Sequence, residues 1–453
     1  MIGFVTMSGF HPGRFHRTLV AVGALMIWLG VMRSAQAQVA ITTIIVDTTA
    51  DTVAVDGHCS LREAINAANN NFTVVDTCTM DFGEDTRIVF QLGAGNPQIN
   101  IATSLPSIVD KVTIDGATGG ATRVVLHAAG TASVSGLFIA GSGGIISGGS
   151  GTVIRNLVIN RFSSPGIYIS SAINVTVAGN YIGTDATGTL PLPNNGNGVY
   201  SQGAGAVIGS TLGATAGGPC TGDCNVIAFN SGTGVFLNLS NGATGNIVRA
   251  NSIHDNGNGG IACGLTVGPT PPVVLTANTA ISGTACNNCI VDVFADDVDQ
   301  GETWLGFTTA SGAGSWALGV PAIGAHITAT STGTSTSVFS APLICADADG
   351  DGVCNTNDNC LLVANANQRD SNAEGYGNLC DADLNNSGTV TTADFGLLRS
   401  VLNQSALSSP TAADADLNGS GVVTTSDFAI LRARLNTAPG PSGLACAGSV
   451  PCP

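Results

Sequence analysis

The sequence has very little positive charge. Lys111 is its only lysine, and 14 basic residues stand against 30 acidic residues among 453, a formal net charge of −16 at pH 7. Because nucleic acids and anionic membranes are recognised by clustered Lys and Arg, this balance excludes the surface that either partner requires. Charged residues make up only 10% of the chain, whereas glycine occurs 61 times. Abundant Gly, Val, Ile, Asn and Thr favour strands and tight turns over helices.

Long apolar runs are also scarce. The run Thr18–Met32 follows Arg14 and Arg17 and precedes Ala35-Gln36-Ala37, a small-residue cleavage site. This pattern predicts a signal peptide over residues 1–37. A retained membrane anchor is the alternative, although the run is short for a span. We expect an exported bacterial protein, secreted or held at the cell surface, without a membrane span in the mature chain.

Export decides how the 13 cysteines are interpreted. Close-spaced cysteines in an oxidising compartment favour disulfides over metal or redox sites. The spacing predicts five local pairs, although it also admits crossed partners: Cys59/Cys78, Cys220/Cys224, Cys286/Cys289, Cys360/Cys380 and Cys446/Cys452. Cys345 and Cys354 form a sixth candidate pair, which leaves Cys263 as the odd cysteine.

The first half of the chain combines one short helix with a loose repeat. Leu61, Ile65 and Ala68 lie at helical spacing, and Ser60 with Glu63 fits a capping box. Farther on, Asn-led and Gly-led apolar strands alternate, which indicates one long rung per repeat. We interpret the repeated asparagines as structural residues that stack in a ladder at the turns. The repeat units begin at Asn156 and Gly166, Asn180 and Gly198, Asn225 and Gly234, and Asn251 and Gly260.

Two resemblances extend this interpretation. The string Cys59-Ser-Leu-Arg-Glu-Ala64 resembles the opening of the CSLREA-domain proteins, a family of secreted bacterial proteins. That resemblance implies a capped right-handed parallel β-helix of the pectin-lyase-like type, here over residues 38–264.

After the linker Gly268–Pro272, short alternating strands predict a β-sandwich over residues 273–342 that resembles immunoglobulin-like spacers. Trp304 and Trp316 are predicted to pack in it rather than to bind sugar. The fold class is therefore mostly β.

Acidic residues concentrate late in the chain, with 12 of the 30 between Asp347 and Asp427. They form four loops in one register, with oxygen-bearing side chains at positions 1, 3, 5, 9 and 12. The loops read Asp347, Asp349, Asp351, Asn355, Asp358; Asp370, Asn372, Glu374, Asn378, Asp381; Asp383, Asn385, Ser387, Thr391, Asp394; and Asp416, Asn418, Ser420, Thr424, Asp427. Glycine stands at position 6 each time, which an acidic linker would have no reason to keep. This is the ligand spacing of a calcium loop.

The four loops fall into two kinds. The first two contain cysteines and precede no helical pattern; residues 345–382 resemble thrombospondin type 3 repeats. The last two precede equivalent apolar faces offset by 33 residues: Phe395, Leu398 and Leu402, then Phe428, Leu431 and Leu435. Residues 383–436 closely resemble a type I dockerin, which implies bound Ca²⁺ and a cohesin-like partner. A Cys/Pro/Gly tail follows over 437–453.

The dockerin resemblance also implies details of these two loops. Ser387 and Ser420 at position 5 replace the usual Asp, so we expect modest calcium affinity. Positions 10 and 11, which help to choose the cohesin in that family, hold Thr392-Ala393 and Thr425-Ser426. Since the two pairs differ, the two faces are not expected to be equivalent. A stable terminal domain without any cohesin is the alternative.

No catalytic constellation stands out. Hydrolysis of a sugar chain needs two carboxylates at one position, and a lyase needs a base near a held cation. The β-rich half offers only scattered candidates: Asp185, Asp223 and Asp255 as acids, Arg155, Arg161 and Arg249 as bases. The sequence favours a non-catalytic protein that binds carbohydrate or mediates adhesion, with a polysaccharide as the candidate ligand. The alternative is a dockerin-tethered polysaccharide lyase or glycoside hydrolase, and convergence of Asp185, Asp255, Arg161 and Arg249 on one groove would favour it.

Overall fold

The computed structural model describes residues 41–452 except 71–77, 79–84, 130–133, 142–147, 240–242, 265–267, 278–279, 297–298, 321–325 and 345. The predicted signal peptide, 1–37, and Cys345 lie outside the described residues. Within these ranges the chain is mostly β, with 25 strands and four short helices. None of the described helices is long and apolar enough to cross a membrane.

Three parallel sheets occupy the first half of the described chain. The first contains β1 (Ile41–Val46), β2 (Asp85–Phe90), β4 (Val112–Asp115), β7 (Val153–Arg155), β10 (Thr176–Ala178), β13 (Val207–Ile208) and β16 (Ile247–Val248). The second contains β3 (Gln98–Ile101), β5 (Val124–Ala128), β8 (Leu157–Asn160), β11 (Tyr181–Ile182), β14 (Val226–Ala228) and β17 (Ser252–His254). The third contains β6 (Leu137–Ala140), β9 (Ile167–Ser170), β12 (Val199–Ser201), β15 (Val235–Asn238) and β18 (Ile261–Gly264).

The chain visits the three sheets in turn. From β4 to β18, each group of three consecutive strands contributes one strand to each sheet, and each strand pairs in parallel with the strand three places on. Alternate side chains, such as Ile154, Ile167 and Val177, point into one continuous apolar core. Parallel sheets wound in this way fit a β-helix-like fold.

The predicted short helix is confirmed as α1 (Leu61–Asn70). Its apolar face, with Leu61, Ala64 and Ile65 fully buried, belongs to the same core as β1 and β2. The capping box is present: the Ser60 backbone N–H donates to the Glu63 carboxylate at 2.9 Å, and the Glu63 N–H donates to the Ser60 hydroxyl at 3.2 Å.

The repeated asparagines form a buried ladder, as predicted. The Asn180 side-chain amide donates to Asn225 Oδ1 at 3.1 Å, and Asn225 donates to Asn251 Oδ1 at 2.8 Å. The first predicted member, Asn156, instead adopts a left-handed backbone (φ 56°) and donates to Asp115. Because each buried amide satisfies both its neighbour and a backbone carbonyl, the ladder fixes the register of successive rungs.

A second ladder runs through residues that the sequence reasoning missed. Asn194 donates to Asn230 Oδ1 at 2.9 Å, and Asn230 donates to Asn256 Oδ1 at 3.0 Å. All three side chains are buried. Each stands four residues before a repeat glycine (Gly198, Gly234 and Gly260), and this recurring spacing is the signal that could have revealed them.

The predicted β-sandwich strands are present in two antiparallel sheets. One sheet contains β19 (Val273–Ala277), β20 (Ile281–Thr284) and β23 (Ser315–Leu318). The other contains β21 (Ile290–Asp296), β22 (Thr303–Thr309), β24 (His326–Thr332) and β25 (Leu343–Ile344). Trp304 and Trp316 are 9% and 4% exposed, so their predicted packing role is confirmed.

This β-sandwich differs from the expected spacer, because it packs directly on the last rung. The Thr336 N–H donates to Asn246 O at 2.8 Å, and the Gln300 side chain continues the second Asn ladder by accepting from the Asn256 N–H at 2.9 Å. Arg249 of the β-helix-like region pairs with the buried Asp292 at 2.6 Å. The contacts pair the open edge of the last rung, which would otherwise expose unpaired backbone groups.

The C-terminal region contains three helices: α2 (Thr392–Ser400), α3 (Pro410–Ala415) and α4 (Thr425–Ala433). As predicted, Leu398 and Leu431 are buried, and the rings of Phe395 and Phe428 meet at 4.9 Å. Leu402 and Leu435 were predicted on the same faces, but they lie beyond the helix ends and are each 36% exposed. Helix α3 was not predicted, although Ser409 as N-cap and Pro410 at the first position are start signals.

Candidate metal centres

The position-6 glycines adopt the same left-handed backbone in all four loops. Their φ angles are 87° for Gly352 and Gly375, 86° for Gly388 and 88° for Gly421. Residues with a Cβ rarely adopt this conformation, so glycine is required there. The shared angle gives the four loops one backbone path, as the sequence register predicts.

The first two loops share one hydrogen-bond pattern. The position-1 carboxylate accepts the N–H of the position-6 glycine, at 2.9 Å for Asp347 and 2.7 Å for Asp370. The position-9 amide oxygen accepts the N–H of position 2, at 2.8 Å for both Asn355 and Asn378. These bonds hold the loop closed around its acidic side chains.

Several carboxylate oxygens in these two loops are buried without any hydrogen-bond partner. They are both oxygens of Asp349 and one each of Asp358, Asp370 and Glu374, and no other carboxylate oxygen of the described residues is in this state. A buried, unpaired carboxylate oxygen is costly unless a cation compensates it. One oxygen from each of Asp347, Asp349 and Asp351 also lies within 4.8 Å of the others. The donor set is all-oxygen and suits a hard cation such as Ca²⁺.

The raised pKa values of two carboxyl groups in these loops also indicate a cation site. Burial, together with the charges of Asp351 and Asp358, raises the pKa of Asp349 above its ordinary value. Burial also raises the pKa of Asp381, with a contribution from the hydrogen bond and the charge of Glu374. Negative charges held this close repel one another, so each carboxylate is protonated more readily. A bound divalent cation would remove this repulsion.

The last two loops keep the bond from the position-6 glycine to the position-1 carboxylate and differ in the others. The position-1 carboxylates of Asp383 and Asp416 accept backbone N–H groups from positions 5 and 6. The position-12 carboxylates of Asp394 and Asp427 each accept the position-3 N–H at 3.1 Å and the position-9 N–H at 2.7 Å. All four carboxylates are at most 1% exposed. The two copies therefore have equivalent geometry, as the 33-residue offset predicts.

The structure divides the predicted ligands of the last two loops into two groups. The aspartates at positions 1 and 12 are buried, whereas the residues at positions 3 and 5 are exposed: Asn385, Ser387, Asn418 and Ser420. The position-5 hydroxyls nevertheless donate to the position-1 carboxylates, Ser387 to Asp383 at 3.3 Å and Ser420 to Asp416 at 3.4 Å. The position-9 hydroxyls of Thr391 and Thr424 cap α2 and α4, accepting the N–H two residues on at 3.2 Å. Residues 392–393 and 425–426, at positions 10 and 11, are exposed.

Sequence reasoning missed one acidic residue near the second loop. Burial and the charges of Asp370 and Glu374 raise the pKa of Asp414 to about 6. Asp414 lies near the end of α3, outside the 12-residue register, so no spacing signal marks it. It adds a carboxylate to a loop that already holds three.

The five predicted disulfides are all present, linking Cys59–Cys78, Cys220–Cys224, Cys286–Cys289, Cys360–Cys380 and Cys446–Cys452. Cys354 is also disulfide-bonded, and its predicted partner Cys345 lies outside the described residues. Cys263 is free, as expected for the odd cysteine. The Cys360–Cys380 bridge ties the first loop to the end of the second.

Five of the six scattered acids and bases have local partners, and two of them, Arg155 and Asp223, partner each other. Arg249 is engaged by Asp292, while Arg155 lies between Asp115 and Asp223 at 3.8 and 3.7 Å. Asp255 pairs with the adjacent His254. Asp185 accepts hydrogen bonds from Thr187, Thr189 and Leu190 inside its own turn. These five residues therefore each have a local partner.

Arg161 stands apart, because no described acidic residue pairs with it. It lines an open groove with His127, Asn195 and the Pro191–Pro193 segment. The His127 Nδ1–H donates to Asn160 Oδ1 at 2.8 Å, since the Asn160 amide donates to Thr184 O and fixes its own orientation. The described lining contains cationic and neutral polar groups but no carboxylate.

Comparison with known protein families decides the identity of the C-terminal region. Residues 381–436, the segment with loops three and four and helices α2–α4, match the model of the dockerin type I domain. Residues 381–436 form a type I dockerin domain. The dockerin spans about an eighth of the chain. None of the curated proteins compared with the whole chain matches the chain. Type I dockerins bind calcium, dock onto cohesins and occur in extracellular or cell-surface bacterial proteins.

Proposed function

We propose that this is a secreted bacterial calcium-binding protein whose dockerin attaches it to a cohesin-like partner and whose β-rich region binds carbohydrate without cleaving it. The observation that carries the proposal is the pair of equivalent loop–helix units in the dockerin, with four buried aspartates at matching positions. Export rests on the predicted signal peptide and agrees with the disulfides.

Calcium is assigned to all four loops. The proposed ligands are the side chains at positions 1, 3, 5, 9 and 12 of each loop. The ion would neutralise the buried carboxylates and stiffen the segment; the protein's own contribution is the closed loop geometry. The unpartnered carboxylate oxygens favour the sites in loops one and two, which we assign to thrombospondin type 3-like repeats over residues 345–382.

The cohesin-like partner would contact the exposed position-10 and position-11 pairs. These are Thr392-Ala393 at the start of α2 and Thr425-Ser426 at the start of α4. Because position 11 holds Ala393 in one copy and Ser426 in the other, one orientation of the dockerin is expected to bind more tightly than the other.

Carbohydrate binding is assigned to the β-helix-like region, which we propose is a right-handed, CSLREA-type β-helix over residues 38–264 followed by an immunoglobulin-like domain over 273–342. The groove with Arg161 and His127 supports this assignment, because it is open and lined by a cationic guanidinium that could meet a hydroxyl-rich or acidic sugar chain. Hydrolysis would need a pair of carboxylates at the sugar chain, whereas the lining of this groove holds Arg161, His127 and Asn195 as its polar residues, which favours the binding proposal.

A polysaccharide panel tests the proposal. Each polymer is incubated with the purified mature chain, with calcium and with chelator, and both retention and new reducing or unsaturated ends are scored. Retention without product is expected, and Arg161→Gln should weaken it while the exposed control Arg87→Gln does not. Catalytic product formation would replace the binding function by an enzymatic one.

A further inference from the structure

The second calcium loop packs on the end of helix α3 of the dockerin. Three side chains at or beside this loop donate to one carbonyl, Ala413 O: Arg369 at 2.9 Å, Asn378 at 3.1 Å and Ser371 at 3.3 Å. The last carbonyls of a helix have no partner within the helix, so these donors cap α3 from outside the dockerin. A flexible connection between the repeat and the dockerin is therefore excluded at this point.

Arg369 continues from this cap to the fourth calcium loop. Its guanidinium donates to Asp416 O at 2.5 Å and lies 3.1 Å from Asp416 Oδ2. Asp416 is position 1 of that loop, and its carboxylate is 1% exposed. The same carboxylate accepts the N–H groups of Ser420 and Gly421, both at 3.0 Å. Arg369 is also the neighbour in sequence of Asp370, which is position 1 of the second loop. Arg369 therefore connects the position-1 aspartates of the two loops, one through the backbone and one through its side chain.

Asn378 gives the second loop a direct share in this contact. It is the position-9 residue of that loop, and its amide donates to Ala413 O while its oxygen accepts the Ser371 N–H. An ion that orders the second loop therefore also orders the groups that hold residues 413–416. The entropy of fixing this segment is then already lost when the fourth loop binds its own ion, which makes the second binding event more favourable.

We propose that the second and fourth loops bind calcium with positive cooperativity, and that Arg369 and Asn378 are the positioning residues that couple them. The proposal rests on calcium binding by these loops as proposed above. By linkage the coupling is reciprocal, so loss of either ion weakens the affinity of the other loop by the same factor. The dockerin would then reach its full calcium affinity only when the preceding repeat is also occupied.

Calcium titration of the full mature chain, followed by NMR, tests the coupling. The Gly421 amide reports on the fourth loop. Asp370→Asn, which disables the second loop with little change in volume, should raise the calcium midpoint at Gly421 about fivefold or more. The matched control is Asp347→Asn, which disables the first loop. The hydrogen bonds of Asp347 lie within that loop, so this variant should leave the midpoint at Gly421 unchanged. An unchanged midpoint in Asp370→Asn would overturn the proposal.

The route through Arg369 is tested by repeating Asp370→Asn in an Arg369→Gln background. If the contacts of Arg369 carry the coupling, Asp370→Asn should no longer raise the calcium midpoint at Gly421 in this background. If the loss of a negative charge acts through space, the midpoint should still rise. If Arg369→Gln prevents folding, Arg369→Lys keeps the charge without the two-pronged geometry and should reduce the coupling. Full coupling in either background would refute the role of Arg369. A Gly421 amide that ignores calcium in the unaltered chain would instead refute calcium binding by the dockerin itself.

Discussion

The ion pair between Arg249 and Asp292 gives the sharpest test of how the β-sandwich is attached to the last rung. Asp292 is fully buried and accepts from Arg249 Nε at 2.6 Å, Arg249 Nη2 at 3.0 Å and Trp304 Nε1 at 2.9 Å. The Arg249 side chain is only 15% exposed. Asp292→Ala would leave three donors and one charge without a partner. Breaking a buried pair in this way costs about 3–5 kcal/mol.

Burial raises the pKa of Asp292 despite the opposing effects of Arg249 and Trp304. The pair therefore carries a large desolvation cost, and replacing both partners by apolar residues should be much less harmful than removing one. We expect Arg249→Met/Asp292→Leu to recover most of the loss in Asp292→Ala. The difference in unfolding free energy between the single and the double variant then measures the cost of leaving one charge unpaired, apart from the general effect of mutation at this site.

Denaturant unfolding followed by tryptophan fluorescence measures this loss. Trp304 and Trp316 both lie in the β-sandwich, and Trp28 precedes the predicted cleavage site, so the signal of the mature chain comes from the domain of interest. Glu302→Ala, an exposed acid on the same domain, is the control and should change stability by at most about 0.5 kcal/mol. A loss below about 1 kcal/mol for Asp292→Ala would refute the reasoning.

Three further predictions concern the ladder, the ligands and the disulfide-tied repeat. Asn225→Ala leaves buried partners in two rungs unpaired and should cost about 2–4 kcal/mol in denaturant unfolding, whereas the exposed Asn258→Ala should be neutral; equal effects would contradict the ladder. Asp383→Ala should weaken calcium binding, measured by calorimetry, more than Asn385→Ala, because it removes a buried charge; equal affinities would contradict the assignment. Cys360→Ser/Cys380→Ser should lower the melting temperature of the calcium-loaded repeat, and an unchanged melt would show that the bridge adds nothing.

Local chemistry was predictable from the sequence, because the relevant groups lie within about a dozen residues of one another. The position-6 glycines, the capping box at Ser60 and the dockerin helices α2 and α4 follow from spacing alone. The first Asn ladder was predictable because identical residues repeat at the same point of each rung. The second ladder is marked only by the fixed four-residue distance from each asparagine to a repeat glycine, which is a weaker signal than a residue repeated at the start of a strand.

Contacts between distant segments were not predictable. Arg249 and Asp292 are separated by 43 residues, and Arg369 and the Asp416 carbonyl by 47. No periodicity links such pairs, since their contact depends on how complete elements pack. For the same reason the sequence suggested a spacer where the β-sandwich in fact closes the last rung, and it placed Leu402 and Leu435 on helices that end before them.

Hydrogen exchange on the full mature chain, with calcium and with chelator, tests the central claim most directly. Buried carboxylates that face one another without an ion should repel, so calcium binding and folding of this segment are linked. Chelation is expected to abolish amide protection over residues 346–436 while the three parallel sheets keep theirs. Identical protection of residues 346–436 in both conditions would contradict the calcium assignment of the loops.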